Sequence, residues 1–242
     1  RRSLRLLGRY FLQPPDGLPA REAPAAGPRW LRWLVRVYGH DLPWLLRRNV
    51  VPLAAVALFV LVAVVVGWGL VDDYPLPPGS IALRDLSRQD FDSLPDVSFL
   101  PSLTTGGILA HNVRVLILAA LLAVISLGVL PILLLMVPMA LVGFIAGQVA
   151  AQGLDPLAFM AAFVAPHGLL EVPAAVLATA FALRVGASVT APPPGMTVGE
   201  HLLATAADLI KVFLFLVLPL LGVAAFVEVN VTPEIILWIY GG

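Results

Sequence analysis

Residues 165 to 174 read APHGLLEVPA, and within them His167 and Glu171 stand four apart in a stretch otherwise made of alanine, leucine, valine and phenylalanine. At that spacing a helix places the imidazole and the carboxylate on one face, one turn apart. Such a pair can relay a proton, attract a cation, bind a polar ligand or hydrogen-bond to itself. An ionised carboxylate at the centre of a span costs about 2.5 to 3.5 kcal/mol on insertion scales. Glu171 must therefore be protonated, paired or turned toward water, and His167 is its nearest candidate partner. A metal is the least supported use: zinc generally takes roughly three or four protein ligands, one His-x-x-x-Glu pair supplies two, and no His-Glu-x-x-His helix is present. No metal or cofactor is assigned. A locked joint in the bundle and a polar cavity serving an ion, a proton or a ligand both stay open.

The neighbouring residues shape how that pair is held. Pro166 lacks an N–H and crowds the carbonyl of Ala162, and Pro173 does the same to Leu169, so the helix carrying them is expected to kink or break. Gly168 and the following Ala174, Ala175 and Ala178 are small enough to let a second helix approach. GFIAG, with Gly143 and Gly147, offers a matching surface one span earlier. Gln148, beside that surface, is placed to hydrogen-bond between helices, a contact contributing about 1 kcal/mol. His111, Asn112 and Arg114 open another apolar stretch, where Arg114 can snorkel to headgroups. Asp208 and Lys211, three apart, are expected to pair with each other.

The elements that must position these groups are membrane helices. Sixty per cent of residues are hydrophobic, 12% are charged, and mean hydropathy is +0.94, values no ordinary soluble domain needs. With no cysteine, disulfides, thiolate metal sites and a cysteine nucleophile are excluded. The first span reads from Val50 to Val71, about 22 residues and about 33 Å of helix, enough for a hydrocarbon core of about 30 Å. It begins too late and runs too long for a cleavable signal core. The run from Val113 to about Ala151 is broken by Pro131 and Pro138 and reads as two spans, 113 to 132 and 134 to 152, joined by a tight turn, with a re-entrant pair as the alternative. The fourth span covers 156 to 183 and contains the His167 motif. The fifth covers 202 to 227, after a capping box formed by Thr197 and Glu200.

Orientation follows from arginine. Ten of the fifteen basic residues (Arg1, Arg2, Arg5, Arg9, Arg21, Arg29, Arg32, Arg36, Arg47 and Arg48) precede the first span, which places the N-terminus in the cytoplasm. Five spans then put residues 72 to 111, with Asp72, Asp73, Asp85, Asp90, Asp92 and Asp96, outside, the loop 184 to 201 inside, and the C-terminus outside. Before the first span, Trp30, Trp33, Leu34 and Val37 recur on one side of a helix while Arg29, Arg32 and Arg36 fall on another. That helix is expected in the inner interface, tryptophans at headgroup depth and arginines near anionic lipid, as an anchor or as a docking surface for a cytoplasmic partner. QPPDGLPAREAPAAGP (13–28) and APPPG (191–195) read as connectors.

The order HNVRVLILAALLAVISLGVL, a glycine-bearing span, PHGLLEVPA and LRVG resembles the stage II sporulation protein M family over about residues 111 to 186. The resemblance carries over Asn112, Pro166, His167, Gly168, Glu171 and Pro173 as motif positions, with Arg184 and Gly186 more loosely. Where the family commonly has an asparagine–glycine pair in the third span, this chain has Pro138. The resemblance implies a scaffold, since the founding member recruits peptidoglycan-degrading partners during spore engulfment and is not known as an enzyme. Some relatives look like accessory membrane subunits of ATP-driven transporters.

The chain is thus expected to be all-α. It is read as a polytopic membrane helix bundle of about five spans, the fourth kinked or broken, with an N-terminal interfacial amphipathic region (1–49) before the bundle domain (50–242). No phosphate-cradling loop, Ser-His-Asp arrangement or dinucleotide fingerprint is present, and no enzymatic activity is expected. The partners it implies are the lipid bilayer, other membrane or extracytoplasmic proteins, an ATPase subunit in the transporter alternative, and a second copy of the chain; nucleic acid is not among them. The expected location is the cytoplasmic membrane.

Overall fold

The computed structural model describes residues 2–13, 28–81, 83, 86–88, 103–190 and 192–241. The proline-rich connector at 14–27 and the residues Asp85, Asp90, Asp92 and Asp96, expected in the outer loop, lie outside them. Every regular element among the described residues is helical: α1 Arg2–Leu12, α2 Arg29–Arg36, α3 Leu42–Arg48, α4 Val50–Gly69, α5 Thr105–Ile125, α6 Val129–Ala151, α7 Pro156–Phe159, α8 Ala165–Ala187, α9 Val198–Val212, α10 Leu218–Asn230 and α11 Thr232–Tyr240. Five stretches are long and apolar enough to cross a membrane: α4, α5, α6, the run Pro156–Ala187 and the run Val198–Tyr240. The all-α bundle of five spans is as the sequence implies.

Two boundaries differ from the sequence reading. The turn between the second and third spans sits at Ser126–Gly128, several residues before the position assigned from Pro131 and Pro138. Leu127 and Gly128 both take positive φ, 53° and 90°, which reverses the chain in the smallest space. Ser126 Oγ then accepts from Leu130 N at 3.1 Å and starts α6. Pro131 consequently falls in the first turn of α6, where a missing N–H costs nothing, and Pro138 is carried inside the helix. The fifth span is also longer than expected. It begins at the Thr197–Glu200 capping box, as the sequence indicates, and continues past Val227 to Asn230 before the bend into α11.

Three prolines produce one construction. Val37–Asp41 precedes Leu42–Pro43, Met160–Val164 precedes Ala165–Pro166, and Phe213–Val217 precedes Leu218–Pro219; each five-residue segment is a π turn. In each, the N–H of the residue before proline reaches five residues back, to Val37, Met160 and Phe213 respectively. Widening the turn makes room for the ring that would otherwise strike the carbonyl four residues earlier. The fourth span is therefore bent through a π turn and remains helical from Pro156 to Ala187, whereas Pro173 is accommodated within α8.

Packing assigns the glycines. A Cβ on Gly143 would lie 2.0 Å from the Val64 carbonyl oxygen, one on Gly67 would lie 1.8 Å from that of Ala140, and one on Gly147 would lie 2.6 Å from Val71 Cγ2. The small surface of the third span thus closes on the first span, where backbones meet directly, and the expected match to the fourth span is corrected. The fourth span finds its close approach elsewhere: Gly186 lies under the Ser126–Gly128 turn, where a Cβ would come within 2.3 Å of Gly128 N. Ala174 and Ala178 join a core with Phe181, Val217 and Leu221, and Val37, Leu42 and Leu45 of the N-terminal region belong to that same core.

Candidate functional site

The bent fourth span brings its polar face toward the second and fifth spans. Asn112, in the second turn of α5, donates from Nδ2 to Glu171 Oε1 at 2.8 Å. His167 does not pair with Glu171: its Nδ1 lies 3.4 Å from Thr232 Oγ1, which in turn donates to the Val227 carbonyl at 3.2 Å. The expected His167–Glu171 bond is replaced because each side chain leans to a different neighbouring helix. A third ionisable group completes the cluster. Glu228, near the end of α10, places a carboxylate oxygen so that ligand atoms of His167, Glu171 and Glu228 all lie within 4.8 Å of one another, each residue partly buried.

Two cavities meet at His167. One, of about 310 Å³, lies among the second, third and fourth spans and is lined by His111, Asn112, His167, Gly168 and Glu171 together with apolar side chains that include Pro138 and Met139. The other, of about 510 Å³, is lined by Arg88, His167, Glu228, Asn230, Thr232 and Glu234. Arg88 and Glu234 form an ion pair across its mouth. Gly168 is buried, and a Cβ there would touch Val164 Cγ1 at 3.3 Å; Pro173 is exposed on the opposite side. Helix α11 seals the π turn of the fourth span through Phe163, whose ring stacks on Phe159 at 4.8 Å and meets Tyr240 at 5.9 Å.

The sequence reading missed Glu228 and Thr232. The signal for Glu228 was present as an acid in the apolar run FVEVN, but ending the fifth span at Val227 moved it to a loop. Thr232 carries no signal of its own, since its role depends on the bend at Val231.

The remaining sequence candidates serve the frame. Gln148, expected between helices, instead donates to the Tyr74 carbonyl at 2.7 Å and accepts from Leu76 N at 3.1 Å, satisfying the backbone that leaves the first span. Asp208 pairs with Arg184 at 3.4 Å, and Lys211 reaches Asp41 Oδ2 and the Gln13 carbonyl, both at 3.1 Å. Their expected mutual pairing gives way because Asp208 faces the fourth span and Lys211 the N-terminal helices. Asp41 and Lys211 are both fully buried.

In the N-terminal region the tryptophan stripe divides. Trp33 is half-buried between Phe11 and Phe215, with centroids at 5.6 and 5.4 Å. Trp30 is 64% exposed, and Arg29 is exposed with Arg32 beside it. Arg36 does not join them at the surface: it bonds the Leu12 carbonyl and lies 3.7 Å from Asp41 Oδ1. Tyr38 Oη donates to the Phe215 carbonyl at 3.1 Å, the acceptor that Pro219 cannot serve from four residues on.

A family model described as stage II sporulation protein M matches residues 55–233, a range that holds every member of the His167 cluster. Among curated proteins and among solved structures nothing matches.

Proposed function

The chain belongs to the stage II sporulation protein M family, and from that premise we propose that it is a non-enzymatic membrane subunit that recruits a partner protein to the cytoplasmic membrane. One observation carries this reading: the N-terminal helices are built into the bundle, with Val37, Leu42 and Leu45 in its core and Asp41 bound to Lys211 of the fifth span. Lipid alone suffices to hold an interfacial anchor, which gains nothing from such fixation. A surface whose shape is set before its partner arrives loses less ordering entropy on binding. What the platform leaves outward includes Arg29 and Trp30, with Arg32 partly exposed beside them, and arginine and tryptophan are the side chains that most often anchor protein interfaces. Arginine placement puts this platform on the cytoplasmic side.

A second reading, the membrane subunit of an ATP-driven transporter, is favoured by the cavity that His111, Asn112, His167 and Glu171 line inside the bundle. The partner on the platform would then be an ATPase. Affinity purification in mild detergent tests both, comparing the native chain with an Arg29→Glu, Arg32→Glu variant. Recruitment requires a protein recovered with the native chain and lost from the variant. A nucleotide-binding subunit in that position selects the transporter reading, and identical recovery from both chains rejects the platform.

A further inference from the structure

We propose that His167, Glu171 and Glu228 form a binding site for a divalent first-row transition-metal ion, of the Zn²⁺ or Mn²⁺ kind, inside the bundle. Three independent features of the cluster support it.

The first is the ligand set. One imidazole and two carboxylates suit Zn²⁺, Mn²⁺ and Fe²⁺, and with no thiolate or thioether in the set Cu⁺ has nothing to favour it. The ligand atoms stand within 4.8 Å of one another, whereas ligands bound at about 2.0 to 2.2 Å from one ion sit about 3.3 Å apart. That difference is about 1.5 Å, of the size a glutamate side-chain torsion spans.

The second is the way the neighbours orient the donors. Thr232 Oγ1 gives its proton to the Val227 carbonyl, so toward His167 it can only accept. A His167 that donates from Nδ1 to Thr232 keeps its lone pair on Nε2 for a cation. Asn112 binds Glu171 Oε1 and leaves Oε2 free. Support of this sort, a hydrogen bond behind two of the three ligands, is what metal-binding histidines and carboxylates generally have.

The third is the electrostatics. Glu171 and Glu228 bring carboxylate oxygens within 4.8 Å of one another, both partly buried, and among the described residues Glu228 has no hydrogen-bond donor. The nearest guanidinium lining its cavity, Arg88, is already paired with Glu234. Two carboxylates so placed require a shared proton or a cation between them. Three protein ligands leave further coordination positions, which open on the cavities meeting at His167; a structural zinc site would be closed by a fourth residue.

The test uses the full chain in detergent or nanodiscs, stripped with chelator and titrated separately with Zn²⁺ and Mn²⁺. Bound metal is counted by mass spectrometry and the thermal midpoint is followed. The expected result is about one ion per chain with a raised midpoint. Asn112→Leu should weaken binding about 10- to 100-fold, as loss of an orienting partner does. Glu228→Gln should remove most binding, and Asp73→Asn, an exposed carboxylate that lines neither cavity, should leave it unchanged. Binding to native chain no tighter than to Glu228→Gln, or an equal loss in Asp73→Asn, would overturn the site. Should Glu228→Gln not fold, Co²⁺ absorption of the native chain decides: a ligand-field spectrum displaced stoichiometrically by Zn²⁺ supports the site, and its absence overturns it.

Discussion

Asn112 and Glu171 lie far apart in the chain and meet across two spans, and their bond ties the second span to the fourth inside the membrane-spanning core. Asn112→Leu removes the donor and leaves a half-buried carboxyl without its partner. Its expected cost is about 1 to 3 kcal/mol in unfolding free energy, read as a lower thermal midpoint in detergent. Glu171→Gln keeps an acceptor oxygen in the same place and should lose less; an equal or larger loss would show that the charge, and not the hydrogen bond, holds the joint. Both residues were legible in the sequence as polar groups in apolar runs. Their partnership was not, because spacing along one helix favours His167 for Glu171 while the choice of neighbour depends on which spans pack together. Glu228 was hidden for a similar reason: an acid one residue past an assumed helix end reads as solvated.

At the scale of elements, prolines and glycines divide the labour. Each proline at 43, 166 and 219 sits two residues beyond the end of a π turn, and these turns re-aim Asp41, His167 and the carbonyl of Phe215. A kink in the fourth span was readable from Pro166; its form as a widened turn was not, since proline alone does not specify whether the helix breaks or relaxes. The glycines of GFIAG were legible as a contact surface, but their partner is the first span. Gly143→Leu is therefore expected to separate α4 from α6 and abolish a monodisperse peak in size-exclusion chromatography. Gly199→Ala, with nothing near its Cβ, should be tolerated. The buried Asp41–Lys211 pair gives a third expectation. Lys211→Met alone leaves the buried Asp41 carboxylate only the more distant Arg36 guanidinium and should cost about 3 kcal/mol, whereas Asp41→Leu with Lys211→Met should recover part of it. Urea or thermal unfolding of the three chains would expose the difference, and equal losses in single and double variants would remove the pair from the stabilising frame.

For the whole molecule, the arginine-rich N-terminal helices, the five spans and the cavity system form a polarised body with the basic platform at one end and the Arg88–Glu234 ion pair at the other. The number of spans was legible from hydropathy because a bilayer demands a fixed length of apolar helix. The docking of the N-terminal region was not, because a proline-rich connector gives no sign that the helices flanking it return to the fifth span. With no native cysteine, single substitutions test orientation cleanly. Asp73→Cys should react with an impermeant maleimide from outside, and Gly199→Cys only after permeabilisation; labelling of both from one side would contradict the five-span topology. The central claim, that the N-terminal platform binds a partner protein, is tested most directly by a photo-crosslinking residue at position 30 in intact cells, with position 238, more exposed and on α11, as control. The expected result is a discrete protein adduct from position 30 that position 238 does not give. Lipid adducts alone from position 30 would contradict it and reduce the N-terminal helices to an anchor.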